Sequence, residues 1–265
     1  MKLERATIVS QEQVYADTFL MWLSCPPVAR GATPGRFLMV HPSDSHDPLL
    51  ARPMSYHRFC TPSSKFPVPT SIPADFAILY DVRGCGTALL SQKRPGDTLP
   101  IFGPLGKGYR LDPRSQNILL VAGGLGVAAV IALADQALAA GKSVTLLQGA
   151  RTTSKLFPHD MLPGDIEAVS ATDDGSSGHH GRVTDLLPDY LPWADQVFAC
   201  GPNPMFASMA DVMRRLRSRK PVQALLEERM GCGTGVCYGC AVFTRKGVRL
   251  VCKDGPRFEL REVFP

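Results

Sequence analysis

Three cysteines at C-x4-C-x2-C spacing, Cys232, Cys237 and Cys240, are followed by a distant fourth, Cys252. That spacing suits four thiolates around a [2Fe–2S] core better than the paired C-x2-C units of most zinc sites. Gly231, Gly233, Gly235 and Gly239 interleave the thiols, so the backbone can bend closely around an inorganic core and aim N–H groups at its sulfurs. A hairpin explains the fourth ligand. Val242-Phe243 and residues 248–251 read as strands around Lys246-Gly247, a register that pairs Ala241 with Cys252 and returns Cys252 beside Cys240. The competing readings are structural zinc and four reduced thiols in a glycine-rich turn. Half of the eight cysteines fall between residues 232 and 252, which weighs against the second.

Two stretches nearer the N-terminus carry groups for a phosphate-bearing ligand. In Arg52-Pro53-Met54-Ser55-Tyr56 the guanidinium is a fixed fork for a pyrophosphate, Pro53 stiffens the strand, Ser55 can donate a hydrogen bond and Tyr56 offers a ring to an isoalloxazine. Gly84-Cys85-Gly86-Thr87 opens a helix whose free N–H groups form a phosphate nest; a plain strand-to-helix turn is the simpler reading.

These residues need elements to place them. Residues 7–111 show short β-like runs broken by Pro and Gly, the pattern of a small antiparallel barrel, with a Pro-rich exposed loop at 62–73 and a turn at 103–109. From Asn117 the rhythm becomes strand and helix in alternation: strands at 118–121, 144–147 and 197–199, helices at 127–140 and 205–217. That is a doubly wound parallel α/β domain. Gly123 and Gly124 fall between its first strand and helix, where a dinucleotide pyrophosphate can approach, although glycines there also serve tight packing. Cys200-Gly201-Pro202 sits at the carboxyl end of a later strand, where open α/β sheets bind ligands. His179 and His180 are adjacent in a polar loop and read as solvated, not as a metal pair. The organisation expected is a barrel domain at 1–113, a nucleotide-binding domain at 114–221 and a small cluster-binding subdomain at 222–265.

With 265 residues, 45% hydrophobic and 20% charged, the chain is long enough for this plan. The N-terminal residues lack an apolar leader core, and the most apolar run is broken by glycines, so the expectation is a cytoplasmic protein with no membrane span. Thiols in that compartment favour ligation over disulfides. The net charge of +5 belongs to residues 201–265, which hold 12 of the 29 Lys/Arg and 6 of the 24 Asp/Glu. Much of it lies in residues 214–220 at a helix end, where cations complement the macrodipole. No aromatic interleaving accompanies it, so no nucleic-acid partner is expected.

In order, Arg52-Pro53-Met54-Ser55, Gly84-Cys85-Gly86-Thr87, Gly103-Pro104-Leu105-Gly106-Lys107-Gly108, Cys200-Gly201-Pro202-Asn203-Pro204-Met205 and the terminal cysteines resemble the ferredoxin reductase-like superfamily. Within it the chain is most similar to the electron-transfer subunits of class 1B dihydroorotate dehydrogenases, notably from Glu227 through Cys240 and over Cys252-Lys253-Asp254-Gly255-Pro256. The resemblance implies FAD on the barrel at Arg52, Pro53, Met54, Ser55, Leu79, Tyr80, Asp81, Gly86 and Thr87. It places the cluster on Cys232, Cys237, Cys240 and Cys252. Tyr56 and His57 depart from the small apolar residues usual after the serine, and the stretch 58–74 is longer than usual.

The resemblance further implies electron transfer between NAD(H), as substrate, and a separate FMN-bearing subunit that oxidises dihydroorotate in pyrimidine biosynthesis, with two of each chain in the complex. A nicotinamide exchanges a hydride and an iron–sulfur cluster single electrons, and a flavin converts between them. Positioning suffices for such transfer, so no catalytic acid or base is expected. The small subunit of a sulfide dehydrogenase or NADPH–ferredoxin oxidoreductase shares the layout, and Arg151 alone does not decide NADP over NAD. A non-enzymatic module with four-cysteine zinc is the alternative of another class. About 40 residues after the last α/β strand are too few for the full ferredoxin domain of an oxygenase reductase.

Overall fold

The computed structural model describes residues 1–15, 17–60 and 74–265. The Pro-rich stretch at 62–73, and with it most of the extended connection 58–74, lies outside the described residues. Seven antiparallel strands form the first sheet: β1 (Lys2–Tyr15), β2 (Thr18–Ser24), β3 (Phe37–Val40), β4 (Arg52–Ser55), β5 (Arg58–Phe59), β6 (Phe76–Asp81) and β7 (Thr98–Leu105). Their order is β4-β3-β7-β1-β2-β6-β5. Short helices α1 (Pro26–Ala29) and α2 (Cys85–Ser91) follow β2 and β6. The alternation of period two turns Ile8, Leu38, Ile78, Leu99 and Ile101 into one core, around which the sheet curls as a half-barrel. Pro53 is tolerated because β4 is an edge strand, where a missing N–H breaks no ladder. The expected turn at 103–109 is only partly a turn, since β7 runs to Leu105 and pairs Gly103 with Lys2.

The second sheet starts with β8 (Asn117–Gly123), an apolar run buried on both faces as a central parallel strand must be. Helix α3 (Val127–Ala139), β9 (Ser143–Ala150), β10 (Glu167–Thr172), β11 (His179–His180), α4 (Leu187–Tyr190), β12 (Gln196–Cys200), α5 (Asn203–Arg215) and β13 (Val222–Leu225) follow. Helix α5 buries Met205, Phe206, Met209, Ala210 and Met213 on one face and ends in Arg214 and Arg215. The cluster segment then makes the hairpin β14 (Ala241–Thr244) and β15 (Gly247–Leu250), the helical turn α6 (Val251–Asp254), β16 (Arg257–Glu259) and α7 (Leu260–Val263). The strand order is β11-β10-β9-β8-β12-β13-β16, with β16 antiparallel to β13. Strand β13 pairs parallel with β12, so the α/β sheet continues past the boundary expected at 221. The polar loop expected at His179-His180 instead forms β11, and both side chains remain exposed.

Tyr56-His57, the departure noted in the sequence, fastens the two sheets together. His57 is fully buried; its Nδ1 lies 3.2 Å from the Ala128 carbonyl in α3, and its ring meets Phe157 edge-on. Next to it Arg58, 3% exposed, approaches Asp135 of α3 at 3.2 Å. Burial, then the Arg58 charge, depresses His57 from 6.5 to about 3. The unfolded chain therefore binds a proton between these values while the folded chain does not, and stability is lost as pH falls from 6.5 toward 3. His57→Gln, which keeps a donor for Ala128, is expected to flatten that decline by up to about 1.4 kcal/mol per pH unit in urea melts. An unchanged slope would exclude His57 as its source.

Candidate functional site

A cleft of about 1370 Å³ runs between the half-barrel and the carboxyl ends of the parallel strands. Its barrel wall holds Arg52, Pro53, Met54, Ser55, Leu79, Tyr80, Asp81 and Thr87, and its α/β wall holds Gly123, Gly124 and Pro202. Eleven of the fifteen candidate cofactor residues thus share one space. Tyr80 is fixed by a 2.8 Å bond from its hydroxyl to Gln11 Oε1 and by stacking on Phe19. The Asp81 carboxylate accepts from Thr18 Oγ1 at 2.6 Å and from Arg83 at 2.9 Å.

Gly86 does not line the cleft, because Arg52 lies over it. A Cβ at Gly86 would sit 2.2 Å from Arg52 Nε, so the glycine is a floor on which the guanidinium rests. This contact joins two motifs separated by some thirty residues. The nest expected at Gly84 to Thr87 is partly closed by its own side chain: Thr87 Oγ1 accepts the N–H of Arg83 at 2.8 Å and of Gly84 at 3.3 Å.

Three further candidates lie off the cleft. Tyr56 is 0% exposed, stacks on Phe59 and meets Phe76 edge-on inside the half-barrel. Its ring is enclosed by these neighbours, so it cannot offer itself to a ligand. Cys200 is fully buried and Gly201 lies under Met205. The Cys200 thiol donates toward Glu227 Oε1 at 3.5 Å, and burial, then the Glu227 charge, raises it well above the usual thiol range.

Glu227 opens into the cleft and had no role in the sequence reading. Enclosure raises its carboxyl, against the opposing effects of the Cys200 thiol and Arg83. The sequence marks it only as the first residue of the stretch to Cys240 that carries the family resemblance. At the far end of the cleft Arg151, Lys155 and Arg182 stand with Asp173. Gly126 packs helix to strand, its Cβ position lying 2.0 Å from the Cys200 carbonyl oxygen, so part of the glycine motif serves packing.

The wall continues from Leu225 to Met230 directly into the cysteine loop. Gly233 and Gly235 adopt φ of +70° and +85°, a region other residues rarely enter, and Gly233 rests on Met39 and Leu105 of the half-barrel. Amide N–H groups aim at the sulfurs, that of Gly235 at Cys252 among them. Thr234 and Val236 donate to Cys232 Sγ at 3.4 Å, Gly239 to Cys237 Sγ at 3.5 Å and Cys252 to Cys240 Sγ at 3.4 Å. Desolvation opposes ionisation of Cys232, but the bonds from Cys237, Thr234 and Val236 outweigh it and bring the thiol down to about 5. Burial, with Cys240 alongside, holds Cys252 up to about 12. Four thiols with N–H groups converging on sulfur are the donor set that an iron–sulfur cluster needs. Among the described residues no group of three or more His, Cys, Asp or Glu side chains is placed to hold a single metal ion.

The hairpin register differs from expectation. Ala241 pairs with Leu250 and Thr244 with Gly247, so the turn is Arg245-Lys246. Cys252 lies beyond the ladder in α6, and its N–H, not a strand pairing, brings it to Cys240.

Residues 227–264 match the iron–sulfur cluster binding domain of dihydroorotate dehydrogenase B. A protein of Geobacillus thermodenitrificans named dihydroorotate dehydrogenase B (NAD(+)), electron transfer subunit, is 39% identical over 265 residues, covering 98% of each chain. The chain belongs to this family of electron transfer subunits. A Bacillus caldolyticus protein of the same name matches at the same identity and coverage. Among solved structures, an NADH-dependent reduced ferredoxin-NADP oxidoreductase aligns with a TM-score of 0.80 and 28% identity, over 97% of this chain and 89% of that one. The half-barrel and parallel sheet of this electron transfer subunit are therefore ferredoxin reductase-like. No helix among its described residues is long and apolar enough to cross a membrane.

Proposed function

We propose that this chain carries electrons between NAD(H) and a separate FMN-bearing subunit that oxidises dihydroorotate. The carrying observation is the continuity of cleft and cysteine loop: the wall ending at Met230 is two residues from Cys232, and Met230 shares a core with Cys240 and Cys252. Bound FAD would interconvert hydride and single-electron transfer, and a [2Fe–2S] cluster would relay the single electrons. Arg52, resting on Gly86, holds the pyrophosphate of FAD, with Pro53, Met54, Ser55, Leu79, Tyr80, Asp81 and Thr87 along the rest of the molecule. Gly123, Gly124 and Pro202 line the nicotinamide side. Glu227 offers an acceptor oxygen to the buried Cys200 thiol at the cleft wall. Cys232, Cys237, Cys240 and Cys252 hold the cluster.

The partner face follows from exposure around these thiols. Val236 is 78%, Tyr238 66%, Phe243 86% and Val248 52% exposed, and Phe243 and Val248 pair directly across the hairpin. Tyr238 also holds a φ of +58°, a strained state for an aromatic residue that presents its ring outward. Exposed aromatics at the rim of a redox centre suit docking of the catalytic subunit, in a cytoplasmic complex with two of each chain. Co-expression with a dihydroorotate-oxidising subunit is expected to give dihydroorotate-dependent NAD reduction that neither chain shows alone. Phe243→Asp is expected to weaken that complex by about 2 kcal/mol or more with iron and FAD unchanged. Tight assembly of the variant would remove the hairpin from the interface.

A further inference from the structure

A second cavity of about 750 Å³ opens where the segment 107–112, the β13–β16 edge and strand β15 meet, and it shares no lining residue with the cleft. Two guanidiniums face it. Arg110 is held by its main chain, its N–H donating to Gln223 Oε1 at 2.8 Å and its carbonyl accepting from Gln223 at 2.7 Å and Gln196 at 3.2 Å. Arg257 lies close enough for the Arg110 charge to act on it, and its Nε is buried with no hydrogen-bond partner among the described residues. No ion pair to Arg110, Arg257, Lys107 or Arg249 occurs among the described residues.

Of the four carboxylates on the same wall, two are paired to other cations and two are turned to backbone N–H groups. Glu262 meets Lys246 at 3.1 Å and Asp112 meets Arg114 at 3.0 Å. Glu259 accepts the Val222 N–H at 3.3 Å, and Asp254 accepts the Leu250 N–H at 2.9 Å. Two neighbouring guanidiniums with no ion pair of their own favour an anion placed between them. Guanidinium forks match phosphate oxygens in pairs, and the volume is that of a small-molecule pocket.

We propose that this cavity binds a small phosphorylated metabolite, its phosphate held between Arg110 and Arg257. The occupant rests against Arg249, on the strand that leads to Cys252.

Calorimetric titration of the loaded protein with inorganic phosphate and with ribose 5-phosphate tests the site. Saturable binding is expected, weakened about tenfold or more by Arg257→Gln and likewise by Arg110→Gln, whose exposed side chain is not needed for folding. Arg151→Gln, in the cleft, is expected to leave it intact. Tighter binding of ribose 5-phosphate identifies a sugar phosphate as the ligand, and equal affinity identifies free phosphate. The proposal fails if neither probe saturates below about 10 mM, or if binding survives Arg257→Gln and disappears in Arg151→Gln.

Discussion

Replacing Cys252 by serine is expected to yield a protein that keeps FAD and loses its iron. Cys252 is 3% exposed and is held in α6, where Val251 donates to the Cys240 carbonyl at 3.0 Å and the Leu250 N–H binds Asp254 at 2.9 Å. A neighbouring group has no freedom to replace the lost thiolate. Serine is a weaker ligand because soft thiolates suit iron–sulfur clusters and hydroxyls do not. No cysteine lines the cleft wall proposed for FAD, from Arg52 to Thr87. Iron assay should therefore fall to background while the flavin stoichiometry and reduction by NADH persist, and transfer onward to the partner stops. A full iron complement in the variant would falsify the ligand assignment.

A single methyl group at Gly86 is expected to separate FAD affinity from stability. The added Cβ would collide with Arg52 Nε at 2.2 Å and Nη2 at 2.5 Å. These atoms end a flexible side chain, so the fold yields by moving the guanidinium and not the backbone. Losing a charge-assisted hydrogen bond to the pyrophosphate removes about 1.5–3 kcal/mol, or about ten- to hundredfold in Kd for FAD. Fluorescence titration of the flavin-free protein measures this, and its melting temperature should stay close to the parent's. Unaltered affinity would mean that Arg52 does not hold the pyrophosphate; a collapsed melting temperature would mean that Gly86 supports the fold itself.

Local signals carried much of this arrangement. Cysteine spacing, glycines between thiols, and the change from short β runs to strand–helix alternation each depend on near neighbours, and each predicts an element that the fold contains. Side-chain direction and pairing were less legible. Tyr56 follows Ser55 and so reads as a ligand contact, yet its ring packs between Phe59 and Phe76 inside the half-barrel, neighbours that sequence order does not reveal. The hairpin slipped by two residues because Arg245-Lys246, and not Lys246-Gly247, makes the turn. Strand β13 was assigned to the cluster segment because its partner β12 is separated from it by a whole helix. Glu227 escaped notice for a related reason: its meaning comes from Cys200, which only the folded sheet brings near.

The segment with the cysteines leaves the second sheet after β13 and rejoins it at β16, and the Leu226 N–H binds the Pro256 carbonyl at 2.9 Å where the two ends meet. The cluster loop is therefore a side excursion closed at its base. Closure at its base lets β13 and β16 pair in the second sheet whatever the cysteine loop holds, while buried Cys240 and Cys252 tie the loop into the core that the sheets share.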